Sequence, residues 1–288
     1  MKTSNTSAPL PTLDLAIATW QPEGIRRVAA MLLPRAEGVR YVVSWQASQG
    51  APIPPELTER TDVSIHRTDV EGVAANRNNA LRHCTADIAL NSDDDLIYTP
   101  EAFQAVRHTF AEHPELGLAA FRYEGDNPKQ YPARECDLTL IPKGYWASTI
   151  ELAIRLRSAS PTGTSGTTPA SASLRFNTAF GPGAPFTASG EDEIFLLTAR
   201  RRGIACRFFP ITIARHPGQS TGSRPVSDNR VLHGMGAVIR LSYGLCSLPR
   251  IVLKAWRMQR SGQCPLARAL IGLFAGWRYG GGIDLMKQ

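Results

Sequence analysis

Cysteine is scarce in this chain and follows no pattern. Cys84, Cys136, Cys206, Cys246 and Cys264 are scattered over 288 residues with no CxxC pair. That excludes a disulfide scaffold and a thiolate metal site, and it fits a reducing cytoplasm. No uncharged apolar run reaches the roughly 18 residues that a membrane-spanning helix needs. Met1 to Pro11 is polar and lacks the apolar stretch of a secretory leader. The expectation is a cytoplasmic protein, soluble or peripheral on the inner face of the cell membrane. There is no internal repeat, and acids nearly vanish near the C-terminus, where Asp284 is the one acid from Val231 to Gln288.

What is present suffices for a core: 43% of residues are hydrophobic and 20% charged, as in an ordinary folded globule. Leu13 to Trp20 reads as a buried strand. Gln21-Pro22-Glu23-Gly24 reads as a turn into a helix from Ile25 to Leu33, stopped by Pro34. Strands are predicted at Val39–Trp45, Val63–Arg67 and Ile88–Leu90, with a helix over Val73–Cys84 before the last of them. A helix over Glu101–His113 and a strand over Leu116–Tyr123 follow. Short apolar strands alternating with helices imply an α/β fold, a Rossmann-like, mostly parallel sheet with helices on both faces. Ligands bind such sheets at the carboxyl ends of the strands. The stretch Ser158 to Ser173 is rich in Ser, Thr, Gly and Pro and reads as a loop or small insertion.

Asp93-Asp94-Asp95 falls at such a strand end. Three adjacent carboxylates repel one another and lose solvation when partly buried, and a hard divalent cation relieves both costs. On an extended chain residues i and i+2 point the same way, so Asp93 and Asp95 are the pair placed to share an ion, with Asp94 pointing away. Seen alone, the trio reads as well as a solvated turn; its company changes that. Ala75-Asn76-Arg77-Asn78-Asn79 opens the preceding helix with a cation and amides. Phe180-Gly181-Pro182-Gly183 is a stiff loop of small residues. Gly190-Glu191-Asp192-Glu193 precedes an amphipathic helix, Ile194 to Arg200, and Arg215-His216-Pro217-Gly218 follows the apolar strand Ile211–Ile213.

In this order the segments resemble the family 2 glycosyltransferases of the GT-A fold, most closely the bacterial polysaccharide type, over residues 13–222. The resemblance implies that Asp93 and Asp95 hold Mg²⁺ or Mn²⁺ against the diphosphate of a nucleotide sugar, with His216 lining the metal and Asp94 beside the nucleotide. It implies that Thr19, Arg77 and Asn78 meet the nucleotide and that Asp192, with Glu191 before it, is the general base. One departure stands out: the second strand ends Ser44-Trp45-Gln46-Ala47-Ser48, without the acid that many members carry there. A UDP-sugar is the donor the resemblance favours, and a saccharide or lipid-linked acceptor completes the reaction. One base without a second nucleophilic carboxylate suggests a single inverting displacement.

Two other readings compete. A nucleotidyltransferase on a similar sheet would carry a Gly-rich, cation-bearing loop after the first strand, and Gln21-Pro22-Glu23-Gly24 is a poor one. A non-catalytic sugar-nucleotide-binding or membrane scaffold protein would not need acids intact at all three places. The chain divides into a catalytic domain, 1–225, and a basic helical extension, 226–288. Apolar and aromatic residues interleave with Arg and Lys in that extension, which suits helices lying on an anionic membrane surface or a helical cap on the domain. No motif for binding nucleic acid accompanies the charge.

Overall fold

A computed structural model describes residues 9–287 apart from 32, 126–128, 141, 143–144, 158–168 and 218–225. The larger part of the 158–173 loop and Gly218 therefore lie outside the described residues. The strands are β1 (Leu13–Trp20), β2 (Val39–Gln46), β3 (Val63–Thr68), β4 (Ile88–Ser92), β5 (Leu118–Gly125), β6 (Cys136–Asp137), β7 (Leu152–Arg155) and β8 (Cys206–His216). The helices are α1 (Gln21–Ala30), α2 (Pro55–Thr58), α3 (Val73–His83), α4 (Pro100–Glu112), α5 (Glu191–Arg201), α6 (Asn229–Tyr243), α7 (Leu248–Arg260) and α8 (Leu266–Gly280).

The strands form one sheet in the order β3-β2-β1-β4-β7-β5-β8-β6. Neighbours from β3 to β4 are parallel, as are β5 and β8, while β7 and β6 run against their neighbours. Alternation within β1 and β4 explains how the two faces differ. Leu13, Leu15, Ile17, Ile88 and Leu90 pack on one face with Ile25 and Val28 of α1 and Phe103, Val106 and Phe110 of α4. The intervening positions are small. Ala16 and Ala89 lie on the other face against Ala74, Ala80 and Leu81 of α3, with Phe195 and Leu196 of α5 in the same core. Large residues hold helices off the sheet and alanines let α3 lie close, so polar side chains from the two can meet.

Three expectations are corrected. Gln21 to Gly24 is the first turn of α1 and not a preceding loop. Pro22 is tolerated there because the first turn's N–H groups have no intrahelical partner. Gly24 serves a close approach instead: a Cβ there would lie 2.1 Å from Thr19 Oγ1 and 3.2 Å from Asp94 Oδ2. β8 is far longer than Ile211–Ile213 and runs through Pro210, which has no N–H to give a ladder. The register against β5 slips between Ala120 and Arg122, passing from Phe208 to Thr212, and this irregularity accommodates the proline. β7 was not foreseen, because four residues next to a polar loop carry no readable period; it bridges β4 and β5.

Residues beyond the sheet form a helical unit docked on α5. Ala237, Val238 and Leu241 of α6 share a core with Phe180 and with Ile194 and Leu197 of α5. Ile251, Ala255 and Met258 of α7 pack with Leu273 of α8 and Leu232 of α6. Contact between α6 and α8 is close enough to need glycine. A Cβ on Gly276 would lie 1.9 Å from the His233 carbonyl oxygen, and one on Gly236 would lie 2.0 Å from that of Leu273. Gly276→Ala is therefore expected to cost about 1–3 kcal/mol through overpacking. A melting temperature several degrees lower than wild type is the expected result, and an unchanged one would show that α8 does not sit this close.

Candidate active site

The carboxyl ends of β1, β2 and β4 open into a cavity of about 800 Å³, which Thr19, Gln46, Arg77, Asp93, Asp94 and Asp95 help to line. Its geometry starts from the acidic trio. β4 ends at Ser92, and Asp94 and Asp95 lie in a turn, not on an extended strand. Asp94, the middle acid, is the most tied. It accepts from the Thr19 hydroxyl and from Arg27, with Arg27 Nε 2.9 Å from Oδ1 and Nη2 2.9 Å from Oδ2. That bidentate bond raises the Arg27 pKa. Asp93 turns toward α3, where Arg77 Nη2 approaches its Oδ1 to 3.0 Å. Asp95 has a different partner and meets His216 Nε2 at 3.3 Å.

The Asp95–His216 encounter depends on a short bridge. Ile97 N–H donates to the Arg215 carbonyl and Arg215 N–H to the Ile97 carbonyl, each at 2.9 Å, which fastens the end of β8 to the chain leaving the acidic turn. Burial pushes the Asp95 carboxyl up, opposed by His216 and reinforced by Asp93 and Asp94. A cation would relieve that cost. Carboxylate oxygens with one imidazole form a donor set that suits Mn²⁺ or Mg²⁺. Among the described residues, however, no three His, Cys, Asp or Glu side chains are already clustered as a metal shell, and Asp93 faces an arginine. The donor chemistry fits a divalent ion whose binding would draw Asp93 from Arg77.

Arg77 joins the acidic turn to the start of α5. Its Nη1 lies 3.3 Å from Glu191 Oε1 and 3.4 Å from Asp192 Oδ1, while Nη2 holds Asp93. The guanidinium is buried, which disfavours its charge, but the three carboxylates outweigh that and raise its pKa above the ordinary value. Its plane also lies over the Phe176 ring, 5.6 Å from the centroid. Asn78, expected beside the nucleotide, is spent elsewhere. Its amide donates to the Phe176 carbonyl at 2.8 Å and accepts from the Phe176 N–H at 2.7 Å, so it fixes the segment that carries the ring. Asn76 takes the inward role instead, donating to the Thr19 carbonyl at 2.8 Å and accepting from Ser44 Oγ at 2.6 Å.

The glycine loop covers the start of α3. Val73 N–H donates to the Pro182 carbonyl at 2.9 Å, and a Cβ on Gly183 would lie 2.5 Å from the Gly72 Cα. Both Gly181 and Gly183 have positive φ, +92° and +90°, which side-chain-bearing residues seldom adopt. The α5 start presents Asp192, which accepts from the Thr149 hydroxyl. Thr149 opens a 3₁₀ turn held by a reciprocal bond between Ser148 and Glu151. Glu151 is wholly buried and satisfied by Lys129 Nζ at 2.6 Å, the Tyr131 hydroxyl at 3.0 Å and the Tyr145 hydroxyl at 3.1 Å.

The structure thus brings Thr19, Arg77, Asp93, Asp94, Asp95, Glu191, Asp192 and His216 into one connected network and leaves Asn78 behind it. Sequence reasoning missed Thr149, which has no local motif, and missed Asp69 and Glu71, which line the cavity from the loop after β3. Gln46, at the end of β2 where an acid was looked for, donates its amide to the Val70 carbonyl and so holds that loop. Two acids directly before α3, at the carboxyl edge of the sheet, were the signal available.

Crowding at the α5 start is costly. Burial and the neighbouring Asp192 push Glu191 up, and the same two causes push Glu193 up to about 7. A carboxyl raised in the fold keeps its proton there more readily than in the unfolded chain. Its contribution is most favourable below the ordinary carboxylate pKa and is lost as pH rises from there through about 7. Glu193→Gln should therefore leave the melting temperature little changed near pH 4 and raise it progressively toward pH 8, by the equivalent of about 1–2 kcal/mol. A constant difference across that range would show that Glu193 is not a strained acid.

Comparison with known proteins agrees with this geometry. Residues 60–173 match the family model described as Glycosyl transferase family 2, a span that contains Arg77 and Asp93 to Asp95 but stops before Asp192. No curated protein matches the sequence. Among solved structures, S. aureus TarS 1-349 is similar at 12% identity and TM-score 0.57, covering 93% of this chain and 92% of that one. The same fragment in complex with UDP-GlcNAc aligns at 14% identity and TM-score 0.56, over 80% of this chain and 66% of that one. Its UDP complex aligns at 13% identity and TM-score 0.52, over 80% of this chain and 65% of that one, so both alignments span just under two thirds of the TarS chain. Identities this low speak to the fold, while the family match lies over the acid-bearing strand and the helix that faces it. The chain has the GT-A fold, and residues 60–173 within it match glycosyl transferase family 2.

Proposed function

We propose that this chain transfers a sugar from a nucleoside-diphosphate donor, with UDP-sugar favoured, to a hydroxyl of a saccharide or lipid-linked acceptor, inverting the anomeric centre. The observation that carries the reading is the Arg77 network, which sets an acidic diphosphate-side turn and a carboxylate on opposite arms of one buried cation. A cavity of about 800 Å³ suits a nucleotide sugar. TarS has been solved in complex with UDP-GlcNAc and with UDP, and this supports the donor class. Residues 1–225 would form the catalytic domain and 226–288 the extension, at the cytoplasmic face of the membrane.

In this mechanism Asp93, Asp95 and His216 would hold Mg²⁺ or Mn²⁺, which when bound supplies positive charge to the leaving diphosphate. Arg77 adds fixed positive charge from the floor of the cavity. Asp192 takes the proton of the acceptor hydroxyl as its oxygen bonds to the anomeric carbon and the bond to the diphosphate oxygen breaks. Thr149 orients Asp192 by donating to Oδ1, leaving Oδ2 for the acceptor. Glu191, whose carboxyl is pushed up by burial and by Asp192, stays paired with Arg77 Nη1 behind Asp192. The nucleotidyltransferase reading finds no support at the first strand, because α1 begins directly after β1 and leaves no loop to wrap a triphosphate.

Asp192→Asn should lower kcat by about 10²–10⁴-fold, the usual range for a lost general base, with donor KM nearly unchanged. Full turnover in this variant over a panel of donors would remove Asp192 from the chemistry. Asp95→Ala should abolish the added thermal stability that UDP confers with Mn²⁺ while leaving the melting temperature of the free protein within about 1 °C, since Asp95 is half exposed. A UDP-dependent shift that is the same with and without Mn²⁺ in the unaltered protein would argue against the metal.

A further inference from the structure

The outer face of the C-terminal helices leaves several large apolar side chains exposed close together in sequence, a pattern that marks interaction surfaces. On α7, Leu248, Val252 and Trp256 are all exposed at spacings of four, so they form one stripe, and Leu253 lies beside it. The opposite side of that helix, Ile251, Ala255 and Met258, is what holds it to the protein. On α8, Ile271 and Phe274 are exposed, Ile271 at 73%. The two stripes are joined at one end. The Trp277 indole donates to Ser247 Oγ at the start of α7, and Phe274 stacks on Trp277 at 5.7 Å. Through Trp277, Phe274 is thus tied to the start of α7, where Leu245 and Leu248 flank Ser247 in sequence and are exposed.

The rim of this face is of one sign. Arg250, Arg257, Arg260 and Arg278 are exposed, and no acid occurs from Leu245 to Gly282. Arg250 lies 4.0 Å from the Tyr243 ring centroid and Arg260 lies 4.9 Å from that of Trp256. Cations standing over aromatic rings beside an aliphatic stripe are the arrangement of an interfacial helix, whose rings enter the head-group layer while the guanidinium groups stay with the phosphates. No helix among the described residues is long and apolar enough to cross a bilayer. We propose that the α7–α8 face docks on an anionic phospholipid surface. A second copy of this chain is a poor occupant, since it would bring like-charged rims together. Nucleic acid would want a basic groove, whereas here the centre is aliphatic. The inference needs no transfer activity and stands apart from the reading of the active site.

The test is sedimentation of the full chain with vesicles of phosphatidylcholine alone or mixed with phosphatidylglycerol. Pelleting with the mixed vesicles and not the neutral ones is expected, and it should weaken with salt. Arg257→Gln with Arg260→Gln should lower partitioning about thirtyfold, at roughly 1 kcal/mol per cation near the surface. Val252→Ser with Trp256→Ser should abolish it, while hydrolysis of a soluble donor continues unchanged. Should that pair of changes disturb folding, Trp256→Phe gives an independent readout. It should keep sedimentation but lose a large part of the tryptophan quenching caused by brominated lipids. Absence of pelleting with anionic vesicles, retention of duplex DNA in their place, or a dimer that Val252→Ser dissolves would each overturn the proposal.

Discussion

One buried guanidinium holds the centre of this protein together. Arg77 could not stay charged in the interior without partners, because desolvation of a lone cation costs several kcal/mol. Asp93, Glu191 and Asp192 offset that cost, and they could not crowd together without it. The dependence is mutual, and it spans chain segments about a hundred residues apart: α3, the turn after β4 and the start of α5. A neutral residue at position 77 would leave the acids to weaker partners: Thr19 and Arg27 at Asp94, His216 at Asp95 and Thr149 at Asp192. The arrangement also explains why the acids divide their tasks. Each is oriented by whichever cation or hydroxyl it faces, so adjacent carboxylates end with different surroundings.

The sheet makes this possible through the size of its residues. Where β1 and β4 show leucine and isoleucine, the helices on that side rest at ordinary distance on a thick aliphatic layer. Where they show Ala16 and Ala89, α3 descends far enough for Asn76 to reach the Thr19 carbonyl. The alanines look like weak core residues, but their small volume lets a polar network form between helix and strand instead of an oily seam. A bulkier residue at 16 or 89 would act on the site at one remove, by lifting α3 and carrying Arg77 with it.

Much of this was legible in the sequence, for identifiable reasons. The first four strands and α3 have strong apolar periods or flanking turns, and their predicted and observed bounds agree to within two residues. The acid clusters were visible because three or more carboxylates in a row are conspicuous. What escaped reading was whatever depends on contact between distant segments. Gly24 looked like a turn residue because nothing local reveals that Thr19 and Asp94 lie above it. Asn78 looked like a nucleotide ligand because its partner, the Phe176 backbone, comes from a segment nearly a hundred residues later. Thr149 and β7 carry no periodic signature, and Pro210 made a long strand look short.

The middle acid of the trio gives the site its fixed point. A motif written with an indifferent residue between two acids would suggest that position 94 tolerates anything. Here it is the reverse: Asp94 is pinned by Thr19 from the strand below and by Arg27 from the helix beside it, whereas Asp93 and Asp95 face Arg77 and His216. The acids on either side of that anchored residue, Asp93 and Asp95, are the more exposed members of the trio. The acidic turn is therefore a bracket fixed at its middle, and Gly24, which contributes no side chain at all, is part of the wall to which the bracket is bolted.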